Sequence, residues 1–227
     1  MAQLALSLPV REALGRADFF ISPANALAVA TVGDWGNWPQ GKLVLVGPEG
    51  AGKTHLANIW ASETGAMILH AEDLADTSAD ALAIWGRIVI EDAHLIAGDH
   101  AAEVTLFHLH NMVLAQAGLL LLTAQSAPNR WPLGLPDLAS RLQATAVATL
   151  TAPDDALLSA VLVKLFADRQ ITVPPSLIPW LVARIERSFS AARDIVDRLD
   201  RHALAQGRPV SRALAAELLD SAAFEGP

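Results

Sequence analysis

Eight consecutive residues, GPEGAGKT, carry the first chemistry the sequence offers. Gly47, Pro48, Glu49, Gly50, Ala51, Gly52, Lys53 and Thr54 match G-x-x-x-x-G-K-[ST], a pattern whose glycines let backbone N–H groups wrap an anion. The lysine of such a loop reaches terminal phosphates, and the hydroxyl after it ligates Mg²⁺. A chain of this length meets the bare pattern by accident in roughly 1% of cases at average residue frequencies. Here it follows the apolar run KLVLV directly and precedes a helix expected to begin near Lys53, whose N-terminus adds its dipole to the anion site. A phosphate site therefore outweighs an ordinary glycine-rich turn.

A phosphate site of this kind needs carboxylates at the end of a neighbouring strand, and RIVIEDAHL supplies Glu91 and Asp92. The first acid of such a pair holds Mg²⁺, usually through its water shell, while the second or a nearby group orients the attacking water. Thr54 and Glu91 are thus the candidate metal ligands, and Glu91 and Asp92 the candidate catalytic acids. The extra methylene of Glu over Asp moves the carboxylate outward by about one bond length, which works against hydrolysis or against regular Mg²⁺ geometry.

A third candidate is Arg141, within GLPDLASRLQA. Gly134 and Pro136 end the preceding element, Asp137 is the expected N-cap, and the helix that follows has room for little more than two turns. The residues alone leave open whether Arg141 is an ordinary solvated side chain or is aimed at a group outside the chain. The histidines form no metal site: His108 and His110, two apart on a helix, point to different faces, and His55, His94 and His100 share no chelating spacing.

The elements that must position these groups are short apolar runs alternating with amphipathic segments. The runs are KLVLV at 42–46, AMILH at 66–70, RIVIE at 87–91, GLLLLT at 118–123 and AVATL at 146–150. Runs apolar on both faces and separated by helices predict a parallel sheet covered on both sides. The first helical signal is SPANALAVATV, with Ser22 as cap and Pro23 in the first helical position. After Pro153 the pattern turns helical throughout, with a segment opening at APDD and further helices near 174–187, 190–206 and 211–220. The fold class expected is α/β, with a tail at 1–18, an α/β nucleotide-binding domain at 19–151 and a small helical domain at 152–227.

Composition narrows the function classes. The 227 residues are 52% hydrophobic, ample for a buried core. The absence of Cys excludes disulfides, thiolate catalysis and Cys-based zinc sites. No apolar run approaches a bilayer span, and MAQLALSLPVR lacks the basic start and apolar length of a secretory signal, so a cytoplasmic protein with no membrane partner is expected. A formal charge of −8 argues against a surface that coats DNA. Only Lys42, Lys53 and Lys164 are lysines, which gives weight to the one in the phosphate loop.

The order of these pieces resembles the AAA+ ATPases of the DnaA family over nearly the whole chain. FFISPANALAVA is similar to the family's N-terminal adenine-side segment, GPEGAGKTHL to its Walker A, IVIEDAHLIAGD to its Walker B and LLLLTAQSAP to its sensor 1 strand. LGLPDLASRL is similar to the arginine-finger motif, and FSAARDIVDRLDRHAL to the sensor 2 helix of the lid. The resemblance implies a three-layer AAA+ P-loop domain with a parallel sheet, followed by an all-α lid. It adds Phe20, Ile21, Asn25, His55 and Arg193 to the nucleotide-binding residues, with ADP or ATP as the nucleotide and Mg²⁺ as candidate metal. Arg141 becomes an arginine finger acting in trans, with Arg130 as a neighbour facing the partner. Two positions depart from the family pattern. Gln125 stands where the initiators commonly carry Asp at sensor 1, and Glu91 replaces the first Walker B Asp, so weak or absent turnover by this chain is expected. The initiators also continue into a helix-turn-helix DNA-binding domain, whereas only AAFEGP follows the last expected helix, so no DNA-binding domain is expected here.

The segment QLALSLPV is similar to the short peptides by which bacterial proteins dock on the DNA polymerase sliding clamp, with Gln3, Leu4, Leu6 and Leu8 as candidate contacts. Its register is open, since LSLPV also fits the end of a Leu-Pro form of the peptide. Together these features imply a regulator of replication initiation whose partners are the initiator DnaA and the loaded clamp, with a homo-oligomer as a further assembly. The alternatives are a self-contained AAA+ ATPase or helicase-loader-like protein, and an adaptor that binds nucleotide only for stability.

Overall fold

The run Lys42–Val46 is buried at every position, as a strand covered on both faces requires, and forms β1 at the interior of the sheet. The computed structural model describes the backbone of residues 20–224 and the side chains of residues 20–220. Four further strands join β1: β2 (Met67–His70), β3 (Arg87–Glu91), β4 (Leu119–Ala124) and β5 (Ala146–Thr149). All pairings are parallel, in the order β2-β3-β4-β1-β5. The edge strands β2 and β5 are only partly buried, whereas β1, β3 and β4 supply Leu43, Val44, Leu45, Ile88, Val89, Ile90, Leu120 and Leu121 to the core. Each such side chain contributes about 1.5–3 kcal/mol by leaving water.

Helices cover both faces. One core packs α4 (His100–Ala115) and α5 (Pro136–Gln143) against the sheet through Leu106, Leu109, Val113, Leu138 and Leu142. The opposite core packs α1 (Ala26–Gly33) and α2 (Lys53–Thr64) through Ala28, Val32, Leu56 and Trp60, with Trp38 stacked on Trp60 at 5.2 Å between ring centroids. A five-residue α3 (Ala79–Ala83) precedes β3. The last four helices, α6 (Asp155–Asp168), α7 (Leu177–Val182), α8 (Phe189–Gln206) and α9 (Arg212–Phe224), enclose a core of their own around Leu158, Leu162, Phe166, Leu181, Val196 and Leu199. No helix among the described residues is long and apolar enough to cross a membrane.

Three local expectations are corrected. Helix α1 begins at Ala26, not at Pro23, because Asn25 folds the preceding segment into a turn: its Oδ1 accepts from Ser22 N–H at 2.8 Å and its Nδ2 donates to Phe20 C=O at 2.9 Å. Leu135, not Asp137, is the N-cap of α5; Pro136 fills the first helical position, whose missing N–H costs nothing there. The helix expected across 174–187 is only Leu177–Val182, since Ser188 must be extended to cap α8, where its hydroxyl accepts from Ala191 N–H.

Candidate functional site

The loop after β1 and the acids after β3 meet at the carboxyl edge of the sheet, the side where open α/β sheets bind ligands. Gly50 and Gly52 have φ of +69° and +95°, left-handed conformations that turn the loop into the first turn of α2. Lys53, at the first position of α2, folds its ammonium back onto the loop and donates to the carbonyls of Gly47 at 2.8 Å and Pro48 at 2.9 Å. Burial lowers its pKa, and Asp92, Glu49 and Glu91 oppose the change.

Between β3 and β1 lies β4, and the site uses it. The Thr54 hydroxyl donates to Glu91 Oε2 at 2.8 Å, and Thr123 of β4 accepts from the Asp92 backbone N–H at 3.0 Å. Asp92 adopts the left-handed region at φ 52°, an unfavourable conformation for a non-glycine residue that the Thr123 bond helps hold. Glu91 is buried, which raises its pKa, with the Thr54 bond acting the other way. Its Oε1 is buried and has no hydrogen-bond partner. A hydroxyl and a buried carboxylate with an unused oxygen are the hard donors Mg²⁺ selects, so Thr54 and Glu91 fit that ion.

The start of α8 seats on the glycine-rich loop. Phe189 N–H donates to Gly50 C=O at 2.8 Å, and a Cβ placed on Gly50 would lie 2.5 Å from Ser190 Oγ and 2.6 Å from Ser188 Cβ. A Cβ on Gly52 would meet the Phe189 ring at 2.9 Å. Arg193, four residues after Phe189, lies one turn further along the same side of α8 and is half-buried.

The structure thus gathers Gly47, Pro48, Glu49, Gly50, Ala51, Gly52, Lys53, Thr54, Glu91 and Asp92 into one place, with α8 against it. His55 is half-buried in the first turn of α2. Asn25 is buried and organises the backbone of Phe20 and Ser22, while Ile21 lines a cleft between α1 and α2 with Val29, Leu56 and Trp60. Gln125 is exposed just past the end of β4; the buried polar group of that strand is Thr123. Arg141 stands exposed on α5, its guanidinium 5.1 Å from the centre of the Phe107 ring. Arg130 is exposed at the end of a short turn, and Gln3, Leu4, Leu6 and Leu8 lie outside the described residues. Sequence reasoning missed Thr123, Ser188, Phe189 and Ser190. Thr123 left a trace, as the lone polar residue inside LLLLTA.

No protein-family model matches the chain. Among solved structures, it is similar to domain III of the Thermotoga maritima replication initiation protein DnaA, with a TM-score of 0.81, 18% identity and coverage of 94% of this chain and 98% of that one. It is similar also to AMPPCP-bound DnaA from Aquifex aeolicus, with a TM-score of 0.68 and 15% identity over 80% of this chain. The chain spans 63% of that protein's length. A RuvB variant from Thermotoga maritima gives a TM-score of 0.66 and 17% identity over 90% of this chain and 71% of that one. At these identities the likeness establishes the fold: a DnaA-like AAA+ fold with a five-stranded parallel sheet and flanking helices.

Proposed function

We propose that the chain is a nucleotide-bound regulator of replication initiation that, docked on the DNA-loaded sliding clamp, stimulates hydrolysis of the ATP held by DnaA. The DnaA-related regulator Hda is the protein it would then correspond to. In this reading residues 19–151 hold the nucleotide and 152–227 form the lid. Backbone N–H groups of the loop and the N-terminus of α2 take the phosphates, and Lys53 exchanges the carbonyls of Gly47 and Pro48 for phosphate oxygens. Bound Mg²⁺ would neutralise phosphate charge, held by Thr54 and Glu91. Arg193 approaches from α8, and ADP is the favoured nucleotide because Glu91 and Gln125 depart from the groups that read a γ-phosphate.

The observation that carries the trans reading is the position of Arg141. It is exposed, and its guanidinium rests on Phe107 of α4 instead of on the phosphate loop of its own chain. A guanidinium presents fixed donors to charge developing on a transferred phosphoryl group, and a finger supplied in trans accelerates hydrolysis by about 10³–10⁵. The rate of hydrolysis of DnaA-bound ATP, with and without this protein and DNA-loaded clamp, tests the proposal; an unchanged rate rejects it. The intact Thr54–Glu91 pair favours a second reading, a self-contained ATPase. Single-turnover hydrolysis by the isolated protein separates the two.

A further inference from the structure

Arg141 is carried by a helix of only eight residues, too short to hold its own direction in water. Its N-cap, Leu135, provides no side-chain capping bond, so the N–H groups at the helix entrance need another acceptor. That acceptor comes from α4. Glu103 is 1% exposed; its Oε2 accepts from Leu135 N–H at 2.7 Å, and its Oε1 accepts from Gly134 N–H and Gly98 N–H, both at 3.0 Å. Burial pushes the Glu103 carboxyl up, but the three N–H donors outweigh it and hold it below the ordinary carboxylate range.

The other end of α5 meets a charge of opposite sign. Lys42, 4% exposed at the start of β1, donates to the Arg141 carbonyl at 3.1 Å, beside the Thr145 hydroxyl at 3.0 Å. The same ammonium lies 3.2 Å from His110 Nε2. Burial and then the Lys42 charge lower the His110 pKa to about 4, so at neutral pH its ring is uncharged and accepts from Lys42. A carboxylate at the N-terminal end of a helix and an ammonium at its C-terminal end both complement the helix dipole. Glu103, Phe107 and His110 are spaced four and three apart on α4 and so share one face, and each touches α5, Arg141 or Lys42.

We propose that this face of α4, together with Lys42, is a cradle that fixes α5 and aims Arg141, which makes Glu103 and Lys42 positioning residues for the reaction in trans. The proposal rests on the finger reading of Arg141. It assigns to a lysine outside the phosphate loop, and to an acid outside the Glu91–Asp92 pair, a role in the rate at a site neither of them touches.

Lys42→Met and Glu103→Gln test it in the full-length protein. Lys42→Met removes the ammonium without stranding a charge but leaves the buried His110 Nε2 unpaired, so nucleotide affinity should hold while the melting temperature falls by only a few degrees. Amide exchange across 138–145 should quicken by about tenfold to a hundredfold, the range for one charge-assisted hydrogen bond. With DnaA and loaded clamp, the maximal stimulated rate should fall by a similar factor while the half-saturating concentration stays unchanged, a split that general unfolding does not produce. Glu103→Gln should act in the same direction. Unchanged exchange and unchanged maximal rate in both variants would overturn the cradle. Should the wild-type protein give no stimulation, the functional reading falls, and the exchange measurement still decides whether the cradle holds α5.

Discussion

The Thr54 hydroxyl donates to Glu91 Oε2 at 2.8 Å, which joins the first turn of α2 to the end of β3 through the two groups suited to a metal ion. Burial raises the Glu91 pKa, and the Thr54 bond offsets part of that rise. A carboxyl with a raised folded-state pKa contributes stability that is complete below its unfolded value and is lost as pH climbs through the folded one. Glu91→Gln should therefore leave the nucleotide-free protein more heat-stable than wild type near neutral pH, by about 2–4 °C for each kcal/mol relieved. The two proteins should converge in acid. Melting curves across that range check this, and coincident curves at neutral pH would refute it.

Lys53 holds the loop through its bonds to the Gly47 and Pro48 carbonyls, which in the proposed function it exchanges for phosphate oxygens. Lys53→Ala should weaken nucleotide binding by about tenfold to a hundredfold, the range for one charge-assisted contact. Arg193→Ala should weaken it too, and wild type should prefer ADP to ATP. Titration calorimetry reads all three; equal affinity in Lys53→Ala, or tighter ATP than ADP binding, would sink the corresponding claim.

Arg141 touches Phe107 through its guanidinium and Lys42 through its carbonyl. Arg141→Ala should fold, bind nucleotide and bind the clamp normally, yet lose most of a stimulation expected to reach about 10³ or more. Arg141→Lys should also be defective, since an ammonium lacks the planar fork. Full stimulation by Arg141→Ala would end the finger assignment, and loss of nucleotide binding would place the residue in this chain's own site.

Gly50 faces α8 with no room for a methyl group and with φ of +69°. Gly50→Ala should cost at least about 1–2 kcal/mol from the backbone conformation alone and should also lower nucleotide affinity by displacing the Phe189 contact. Denaturant titration and calorimetry measure both. Adding Ser190→Gly should relieve the closest contact and leave both the crowding against Ser188 Cβ and the backbone penalty; a double variant as unstable as Gly50→Ala would show that the Ser190 contact contributes nothing.

Residues 1–10 carry the candidate clamp contacts. Their deletion should abolish clamp binding and leave melting temperature and nucleotide affinity unchanged. Clamp binding by the shortened protein at full strength, measured by surface plasmon resonance, would exclude the docking role.

Much of this arrangement was legible because it is local. KLVLV followed by GPEGAGKT marks a doubly covered strand, a glycine-rich loop and a helix start within thirteen residues, and β1 and α2 fall where that pattern puts them. RIVIE, GLLLLT and AVATL likewise became β3, β4 and β5 to within a residue or two. The parts that could not be read are long-range. Nothing near Glu103 in the chain indicates that its oxygens will meet Gly134 and Leu135, 31 and 32 residues away. Asp137 looks like a cap by residue type, but Pro136 fits the first helical position and moves the cap two residues earlier, to Leu135. The contact of Phe189 with Gly50 depends on how α6–α9 pack against the sheet, and the helical periodicity of FSAARDIVDRL reports only which side of α8 is apolar.

The strand order has a bearing on how the protein comes into being. On a ribosome β1 emerges early, yet both of its neighbours lie far downstream, 78 residues away in the β4 pairing Lys42↔Leu120 and 103 in the β5 pairing Leu43↔Ala146. Until residue 124 has been made, β1 has two open edges and the loop after it has no sheet to brace it, and one edge stays open until residue 149. The seat for α8 on Gly50 closes later still, when residue 189 arrives. Long-range parallel pairing of this kind is slow to form, so the nascent chain carries the complete GPEGAGKT sequence well before that loop has its folded surroundings.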